Sequence, residues 1–394
     1  MHKITRTQRA ARLARRHHLA PEARGDDATR VAGDVAGLHA TDLATVHLSA
    51  AVRMAGHDRD AVDRALYDER SLLRMLGMRR TMFVVPIPLA AVVQAACTRA
   101  VAAGERRRTV RMLESAGAAG ATGDAAAWLA DLERRTLAAL RERGEALAAE
   151  LADAVPELAT RFVVGEHTKY PATLTVSSRV MLLLAADGHI VRGRPRGSWI
   201  STQYCWAPTR TWLGADLPDL DAHSARVTLA RHWLARFGPA TVTDLTWWTG
   251  WTKSHVRKVL AEIAPLEVDL DGKVGIVLPD DGAPVEQVPP WAALLPALDP
   301  TTMGWKERDW YLGPHRDALF DRNGNAGPTV WWHGRVVGGW AQRADGEIVV
   351  RLLDDVGADA QAAIAAERGR LAAWLGDRRF TPKFRTPLER ELSA

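Results

Sequence analysis

The spacing of apolar residues over the first 90 residues changes from a helical period to a strand period. Side chains that can cap a helix precede three stretches of helical spacing, at Thr5, at Asp27 and at Thr41 or Asp42. Residues 72–85 then have the strand period around a central glycine and end at two prolines, which predicts a hairpin. Three helices followed by a hairpin is the order of a winged helix, so residues 1–90 are predicted to form one.

The same order of helices and a hairpin is repeated twice further along the chain. Residues 91–220 begin with alanine-rich helices and are predicted to form a second winged helix, with a helix over 171–187 and a hairpin that pairs 188–192 with 197–202. Residues 221–284 are predicted to form a third. Its elements are helices at 225–237 and 242–249, a candidate recognition helix at 252–263 and a wing at 266–278 with an Asp-Gly turn.

From residue 285 to residue 394 the composition shifts to tryptophan, proline and glycine, and strands dominate. Segments at 328–332, 335–343 and 347–353 are joined by tight turns, and a helix follows at 359–374. This part is predicted to be a small β-barrel or curled sheet. The whole chain is thus predicted to be a predominantly helical α+β protein with tandem winged-helix domains and a C-terminal β-rich domain.

Composition is typical of a folded protein inside the cell. The chain has 394 residues, of which 47% are hydrophobic and 25% charged, enough for several domains with cores of their own. Two cysteines, Cys97 and Cys205, are too few for a disulfide framework or a thiolate metal site. The basic N-terminus has no apolar signal-peptide core, so we expect a cytoplasmic, nucleoid-associated protein with no membrane role.

The positive charge of the chain is unevenly distributed. The formal net charge is +5, and arginines cluster at 15–16, 79–80, 106–108, 192–196 and 378–385. Several clusters fall on predicted turns, where a polyanion could contact them. An arginine-rich composition on ordinary solvated faces is the alternative explanation.

The sequence lacks the motifs of several common enzyme classes. There is no phosphate-binding or dinucleotide glycine motif, no HExxH zinc motif and no GxSxG nucleophile motif, so no metal and no cofactor is predicted. The pairs Trp247-Trp248 and Trp331-Trp332 could stack on nucleobases or lie in a core.

The short stretch GLHATD places His39 and Thr41 between two predicted helices. Side chains two residues apart diverge on a helix, but they can converge where the chain is extended. The ordinary alternative is a histidine that hydrogen-bonds a neighbouring carbonyl and a threonine that only caps the next helix.

Five motifs together resemble a known family, the winged-helix DNA glycosylases of the AlkZ and YcaQ (AlkX) kind. They are GLHATDLATVHLSAAVR at 37–53, LLRMLGMRRTMFVVP at 72–86, FGPATVTDLTWWTGWTKSHVRKVL at 237–260, LLPALDPTTMGWKERDWYL at 294–312 and LFDRNGNAGPTVWWHGRVVGGW at 319–340. The resemblance extends over essentially the whole chain.

The resemblance implies an enzyme that removes alkylated bases from double-stranded DNA, with crosslinks among the substrates of some members. Members are similar in having a basic concave surface for DNA and a catalytic Gln-aliphatic-Gln or Gln-aliphatic-Asp motif. In this chain the corresponding residues are His39-Ala40-Thr41, which departs from that pattern. We expect His39 to activate a water with Thr41, and activity to fall as the pH drops through an ordinary histidine pKa. A non-catalytic DNA-binding protein or regulator is the alternative.

If the protein is a DNA glycosylase, basic side chains are expected to bind DNA phosphates. Two further residues, Arg322 and Asn323, are predicted to lie in a loop near the scissile bond, although Asn323 could equally be a turn residue. The phosphate-binding candidates are Arg79, Arg80, Arg192, Arg194, Arg196, Lys253 and Arg257. The protein is expected to act as a monomer.

Overall fold

Helices and hairpins alternate along the chain in the predicted order, in a computed structural model that describes residues 2–118, 123–165 and 171–394. The first elements are β1 (His2–Lys3), α1 (Arg6–Arg16), α2 (Ala28–Asp34), β2 (Leu38–His39), α3 (Leu43–Arg53), α4 (Ala61–Asp63), β3 (Leu72–Leu76), β4 (Met82–Pro86), α5 (Ile87–Val93), α6 (Arg99–Ser115), α7 (Ala125–Arg143), β5 (Ala146–Leu147), β6 (Arg161–Val164), β7 (Ala172–Thr175), α8 (Val176–Ala186), β8 (Ile190–Pro195), β9 (Tyr204–Pro208) and α9 (Thr209–Leu213). They are followed by α10 (Ala222–Phe237), α11 (Val242–Thr249), α12 (Lys253–Ile263), β10 (Leu266–Leu270), β11 (Lys273–Val277), β12 (Ala292–Leu295), α13 (Asp309–Leu312), α14 (Arg316–Leu319), β13 (Thr329–Trp332), β14 (Arg335–Gln342), β15 (Ile348–Leu352), α15 (Gly357–Leu375) and α16 (Pro387–Leu392).

The three N-terminal helices begin at side-chain caps, as predicted. For α3 the cap is Asp42, whose carboxylate accepts a hydrogen bond from Ala44 N at 3.1 Å. Strands β3 and β4 form the predicted hairpin, and β2 adds to it in the order β2-β4-β3. The segment before α3 is therefore held in a sheet.

Two local predictions for the second segment are wrong. Residues 172–175 form β7, which pairs with β6, so the helix begins at Val176 and not at 171. The hairpin pairs β8 with β9 at 204–208, and 197–202 lie in its tip. In both cases strand pairing, which depends on partners elsewhere in the chain, overrides the local signal.

The elements at 221–284 agree closely with the prediction. Helix α11 begins with a capping box between Thr241 and Asp244, and α12 begins at the cap of Thr252. Strands β10 and β11 form the predicted hairpin, and β1 pairs in parallel with β10. The N-terminus of the chain is thus part of this sheet.

The C-terminal strands form an open four-stranded sheet in the order β12-β13-β14-β15. The prediction of a barrel is wrong, because β12 and β15 do not pair with each other within the part of the chain that the structure describes. Helix α15 packs against β12, which buries one side of that edge strand. The α+β composition is confirmed.

Helix α3 is buried from end to end and packs between the other elements. On one side, Val46, Ala50 and Val52 of α3 belong to the largest core, whose members range along the chain from Ala11 to Leu392. Its second side, with Ala44, Leu48 and Ala51, joins the core under the C-terminal sheet and α15. A separate core lies between residues 113 and 206. The segment His39-Ala40-Thr41 immediately precedes this central helix.

The chain is helical without interruption from Ile87 to Ser115, because a single π-helical turn, Gln94–Thr98, joins α5 to α6. Length and composition alone would allow this stretch to cross a membrane. Half of its most apolar part is buried within the fold, as in the core helix of a globular protein.

Candidate active site and DNA-binding surface

His39 lies on β2, directly opposite Phe83 of β4, and the two ring centroids are 5.3 Å apart. The side chain is 4% exposed, and Nδ1 is enclosed. Within the described residues this nitrogen has no hydrogen-bond partner. Thr41 is half-buried, and its hydroxyl is likewise enclosed and unpartnered among these residues. Among the residues that the structure describes, neither of the ordinary roles considered above, a carbonyl-bonded histidine and a capping threonine, is observed.

The backbone of this segment is held from several directions. Ala40 N donates a hydrogen bond to Met82 O at 2.7 Å, which extends the strand pairing by one residue. The buried guanidinium of Arg74 donates from Nε and Nη2 to Ala40 O, at 3.2 and 2.7 Å. Asp42 accepts a hydrogen bond from Lys383 N at 2.9 Å. These contacts fix the backbone at residues 39–42 and so fix the positions from which the His39 and Thr41 side chains extend.

The pKa of His39 differs from the expectation. Burial, with a smaller effect of the nearby Arg79 charge, lowers the pKa of His39 from 6.5 to about 3. The expectation of a titration at an ordinary histidine pKa is therefore wrong, because the sequence does not reveal burial. His39 is neutral throughout the physiological range.

If His39 takes part in the DNA glycosylase reaction that the resemblance implies, we predict that the single-turnover rate of base excision is independent of pH between about pH 5 and pH 8, because His39 does not change charge there. The free energy of unfolding, in contrast, should depend on pH. The unfolded chain binds a proton on His39 near its ordinary pKa and the folded chain does not, so the free energy of unfolding decreases as the pH falls below about 6.5. Rates measured together with tryptophan fluorescence separate the two effects. A rate that falls with a midpoint near pH 6.5 in folded protein would contradict the buried, neutral histidine.

Among the basic residues predicted to bind DNA, Arg79 is the one whose charge affects the pKa of His39. Its guanidinium carbon lies 3.9 Å from the ring centroid of Trp247. Burial and the charge of Arg308 lower the pKa of Arg79 to about 10. Arg308 also contacts the Trp247 ring, at 5.0 Å, and is 6% exposed.

A groove of about 630 Å³ lies between α11 and α12, next to this pair of arginines. Trp247, Lys253 and Arg257 line it, together with exposed Lys306. A second groove of about 640 Å³ lies beside the first turn of α12 and includes Arg79 and Arg80 in its lining. The structure thus brings Arg79, Lys253 and Arg257 to one face of the protein.

Three of the other predicted cations form ion pairs with carboxylates. Arg80 pairs with Glu105, Arg194 with Asp68 at 2.7 Å and Arg196 with Glu150 at 2.7 Å. Arg192 is half-buried, with its guanidinium 4.6 Å from the Trp206 ring, and burial and the Arg74 charge lower its pKa to about 9.

Arg322 and Asn323 are exposed and line a cavity of about 650 Å³ with Lys383 and Arg385. Asn323 N donates a hydrogen bond to the carboxylate of Asp321 at 2.8 Å, which is a turn interaction. Because Lys383 N also bonds Asp42, this cavity lies close to the segment that contains Thr41.

The tryptophan pairs divide between core and surface. Trp248 and Trp331 are buried, whereas Trp247 and Trp332 are half-buried. Two arginines already contact the Trp247 ring, which disfavours its use as a platform for a nucleobase.

Two residues near the site were not identified from the sequence. Arg74 bonds the Ala40 carbonyl, and Arg308 shares the Trp247 ring with Arg79. Arg308 lies in one of the motifs quoted above, but no local pattern shows that a single arginine will be buried without an acid. Within the described residues, no group of three or more His, Cys, Asp or Glu side chains could hold a metal ion.

Comparisons with known proteins agree on one class, the DNA glycosylases. A family model described as DNA glycosylase AlkZ-like matches residues 32–374. The interstrand DNA cross-link repair glycosylase of Streptomyces sahachiroi is 25% identical over 349 residues, which cover 83% of this chain and 85% of that protein. The solved structure of Streptomyces sahachiroi DNA glycosylase AlkZ has a TM-score of 0.71 at 23% identity, and the match covers 94% of this chain and 97% of that one.

The chain belongs to the AlkZ-like DNA glycosylase family, as the resemblance of its motifs implied. It is an enzyme, a DNA glycosylase, and its substrate is DNA.

Proposed function

We propose that the protein is a monofunctional DNA glycosylase that hydrolyses the N-glycosidic bond of alkylated purines, with a water held by His39 and Thr41. The observation that carries this proposal is the pair of enclosed polar atoms, His39 Nδ1 and Thr41 Oγ1, which lack partners among the described residues. Buried polar groups in folded proteins are normally hydrogen-bonded. Two such groups, two residues apart along an extended segment, suit a polar ligand placed between them.

The chemistry suits a cationic lesion. When a purine is alkylated at N7 or N3, the electron pair of the breaking C1′–N bond neutralises the positive charge of the base, so the base leaves without needing a proton. The sugar develops oxocarbenium character, and water attacks C1′. The proton released from this water passes to the imidazole of His39 and from there to solvent.

A low pKa changes the role of His39. A neutral imidazole neither repels a cationic base nor the developing positive charge of the sugar. It is also a weak base, and so its main contribution is to position and orient the water, with proton transfer late in the reaction. Thr41 supplies the second contact that directs the water to C1′.

DNA binding is proposed to use the cationic face described above, with Arg79, Lys253 and Arg257 at its centre. The three segments of helices and a hairpin would act as winged helices, with α12 as a recognition helix. Arg80, Arg192, Arg194, Arg196, Arg322 and Asn323 would contact the flanks of the duplex. Phosphates compete with the carboxylate partners of the exposed arginines, since surface ion pairs contribute little to stability.

Bulky adducts and interstrand crosslinks are proposed substrates, supported by the similarity to the interstrand DNA cross-link repair glycosylase of Streptomyces sahachiroi. Within the described part of the chain, the cationic face carries grooves and not a deep pocket for a flipped base, which suits a base that stays partly in the duplex. The protein is proposed to act as a monomer in the cytoplasm, associated with the nucleoid.

We expect the protein to release N7-alkylguanine from an alkylated duplex and to leave abasic sites that break on treatment with alkali. The assay is gel analysis of an end-labelled duplex with one bulky N7 adduct and one with a simple methyl adduct. The undamaged duplex is the control. Retarded migration of both damaged duplexes without strand breaks would support the non-catalytic alternative and contradict hydrolysis.

A further inference from the structure

Two arginines lie over one tryptophan ring close to the proposed site. The guanidinium carbons of Arg79 and Arg308 are 3.9 and 5.0 Å from the Trp247 ring centroid. Arg79 is half-buried with its Nε enclosed and unpartnered within the described residues, and Arg308 is 6% exposed. Both charges therefore face the same ring from positions that water reaches poorly. We call Arg79, Trp247 and Arg308 the arginine clamp.

Neither guanidinium of the arginine clamp has an acidic partner within 4.0 Å among the described residues. Arg308 donates only to the backbone, from Nε to Trp305 O at 2.8 Å and from Nη1 to Gly324 O at 3.4 Å. The carboxylate of Asp244 forms no ion pair with Arg308 among the described residues, but its negative charge acts to raise the pKa of Arg308.

Asp244 is fully used by other groups and cannot turn towards the clamp. One carboxylate oxygen accepts hydrogen bonds from Thr241 N and Oγ1, at 3.0 and 2.9 Å. The other accepts from Lys306 N and Glu307 N, at 2.9 and 2.8 Å. The counter-charge for the arginine clamp must come from outside these contacts.

The electrostatic consequence is visible in both arginines. Burial lowers the pKa of Arg308, and burial together with Arg308 lowers that of Arg79. Buried charges without partners are costly, so folded proteins rarely keep them unless a ligand supplies the opposite charge. The backbone is also unusual here, since Arg79 and Arg80 have φ angles of 53° and 60°, a left-handed conformation that is costly for non-glycine residues and common at functional sites.

The position of the arginine clamp connects the groove to the proposed site. Trp247 lines the groove that contains Lys253 and Arg257. The charge of Arg79 acts on His39. An anion bound at the clamp would therefore lie between a cationic groove and the proposed catalytic residues, as one phosphate of a strand that runs along the groove would.

We propose that the arginine clamp binds one backbone phosphate of the damaged DNA strand and so places the lesion over His39 and Thr41. Two planar guanidinium groups match the oxygens of a phosphodiester. The bound phosphate also neutralises charge that would otherwise oppose a cationic base and the oxocarbenium-like sugar. Arg308 is thus a positioning residue. This proposal rests on the DNA glycosylase function proposed above.

The experiment measures the salt dependence of affinity for an undamaged duplex, which is independent of catalysis. Each phosphate contact contributes about −0.9 to the slope of log K against log salt concentration. We expect the double variant Arg79→Gln/Arg308→Gln to lose about 0.9 from the magnitude of this slope, which is one shared phosphate. Affinity should fall severalfold, equally for duplexes of different sequence.

Arg368→Gln is the matched control and should leave the slope unchanged, because this exposed arginine on α15 is not among the charges that affect the pKa of Arg79 or Arg308. Arg79→Gln alone serves as a second test if Arg308 variants do not fold, since no hydrogen bond of Arg79 to the described residues is lost. An unchanged slope in a folded double variant would overturn the proposal, and a loss of about 1.8 would contradict a shared phosphate. If the double variant loses about 0.9 from the slope but the wild-type protein does not excise bases, the result would count against the proposed catalysis and not against the arginine clamp.

Discussion

Replacement of His39 by alanine should lower the single-turnover rate of base excision by about 10²- to 10⁴-fold, the range expected when a positioned catalytic group is removed. Duplex affinity should be retained, because the side chain is 4% exposed and neutral. The measurement is release of N7-alkylguanine under enzyme excess, with affinity for the same duplex determined in parallel. His39→Gln should recover much of the rate, since glutamine occupies this position in the family motif and can also hold a water.

The matched control for this prediction is another buried histidine. His47 on α3 is 2% exposed, and burial, with a smaller effect of Arg378, lowers its pKa to about 3 as well. It packs against Trp199, with ring centroids 5.4 Å apart, and has no place in the proposed chemistry. His47→Gln should excise at nearly the normal rate. Equal losses in the His39 and His47 variants would show that the effect is structural and would remove His39 from the mechanism.

Replacement of Arg53 by alanine should decrease the free energy of unfolding by about 3 to 5 kcal/mol, the cost of removing one partner of a buried ion pair. Arg53 and Asp299 are both fully buried, and their closest contact is 2.7 Å. Arg53 also donates to Ser49 O and Thr301 Oγ1, each at 2.8 Å. Removing it leaves the buried carboxylate of Asp299 with hydrogen bonds from Ser49 Oγ and Thr301 N but without its counter-charge.

This ion pair joins α3 to the segment that follows β12, so its loss should also disturb the position of the residues before α3. Unfolding by denaturant, followed through the fluorescence of the 15 tryptophans, measures the effect. An exposed pair, Arg64 with Asp58 at 2.5 Å and about half exposed, provides the control, and Arg64→Ala should cost no more than about 1 kcal/mol. The double variant Arg53→Ala/Asp299→Asn should lose less than the sum of the losses in Arg53→Ala and Asp299→Asn. Additive losses would contradict a coupled buried pair.

The sequence by itself determined the local elements. Caps at Thr5, Asp27 and Asp42, the Asp-Gly turn between β10 and β11, and the glycine after α11 act on residues within one turn of themselves, so a single sequence reveals them. The residue pattern of the motifs was also sufficient for the family. Strand pairing was less accessible, since β7, β9 and β12 are defined by the strands with which they pair and not by their own residues alone.

Only the tertiary structure decided the properties of the proposed site. The low pKa of His39, the Thr41 hydroxyl that does not cap α3 because Asp42 does, and the Arg308 guanidinium without an acidic partner among the described residues all result from burial among distant residues. Burial and electrostatic environment are sums over neighbours in space, and they cannot be read from neighbours along the chain. For that reason the residues His39 and Thr41 could be selected from the sequence, whereas their charge, their partners and the arginine clamp beside them could not.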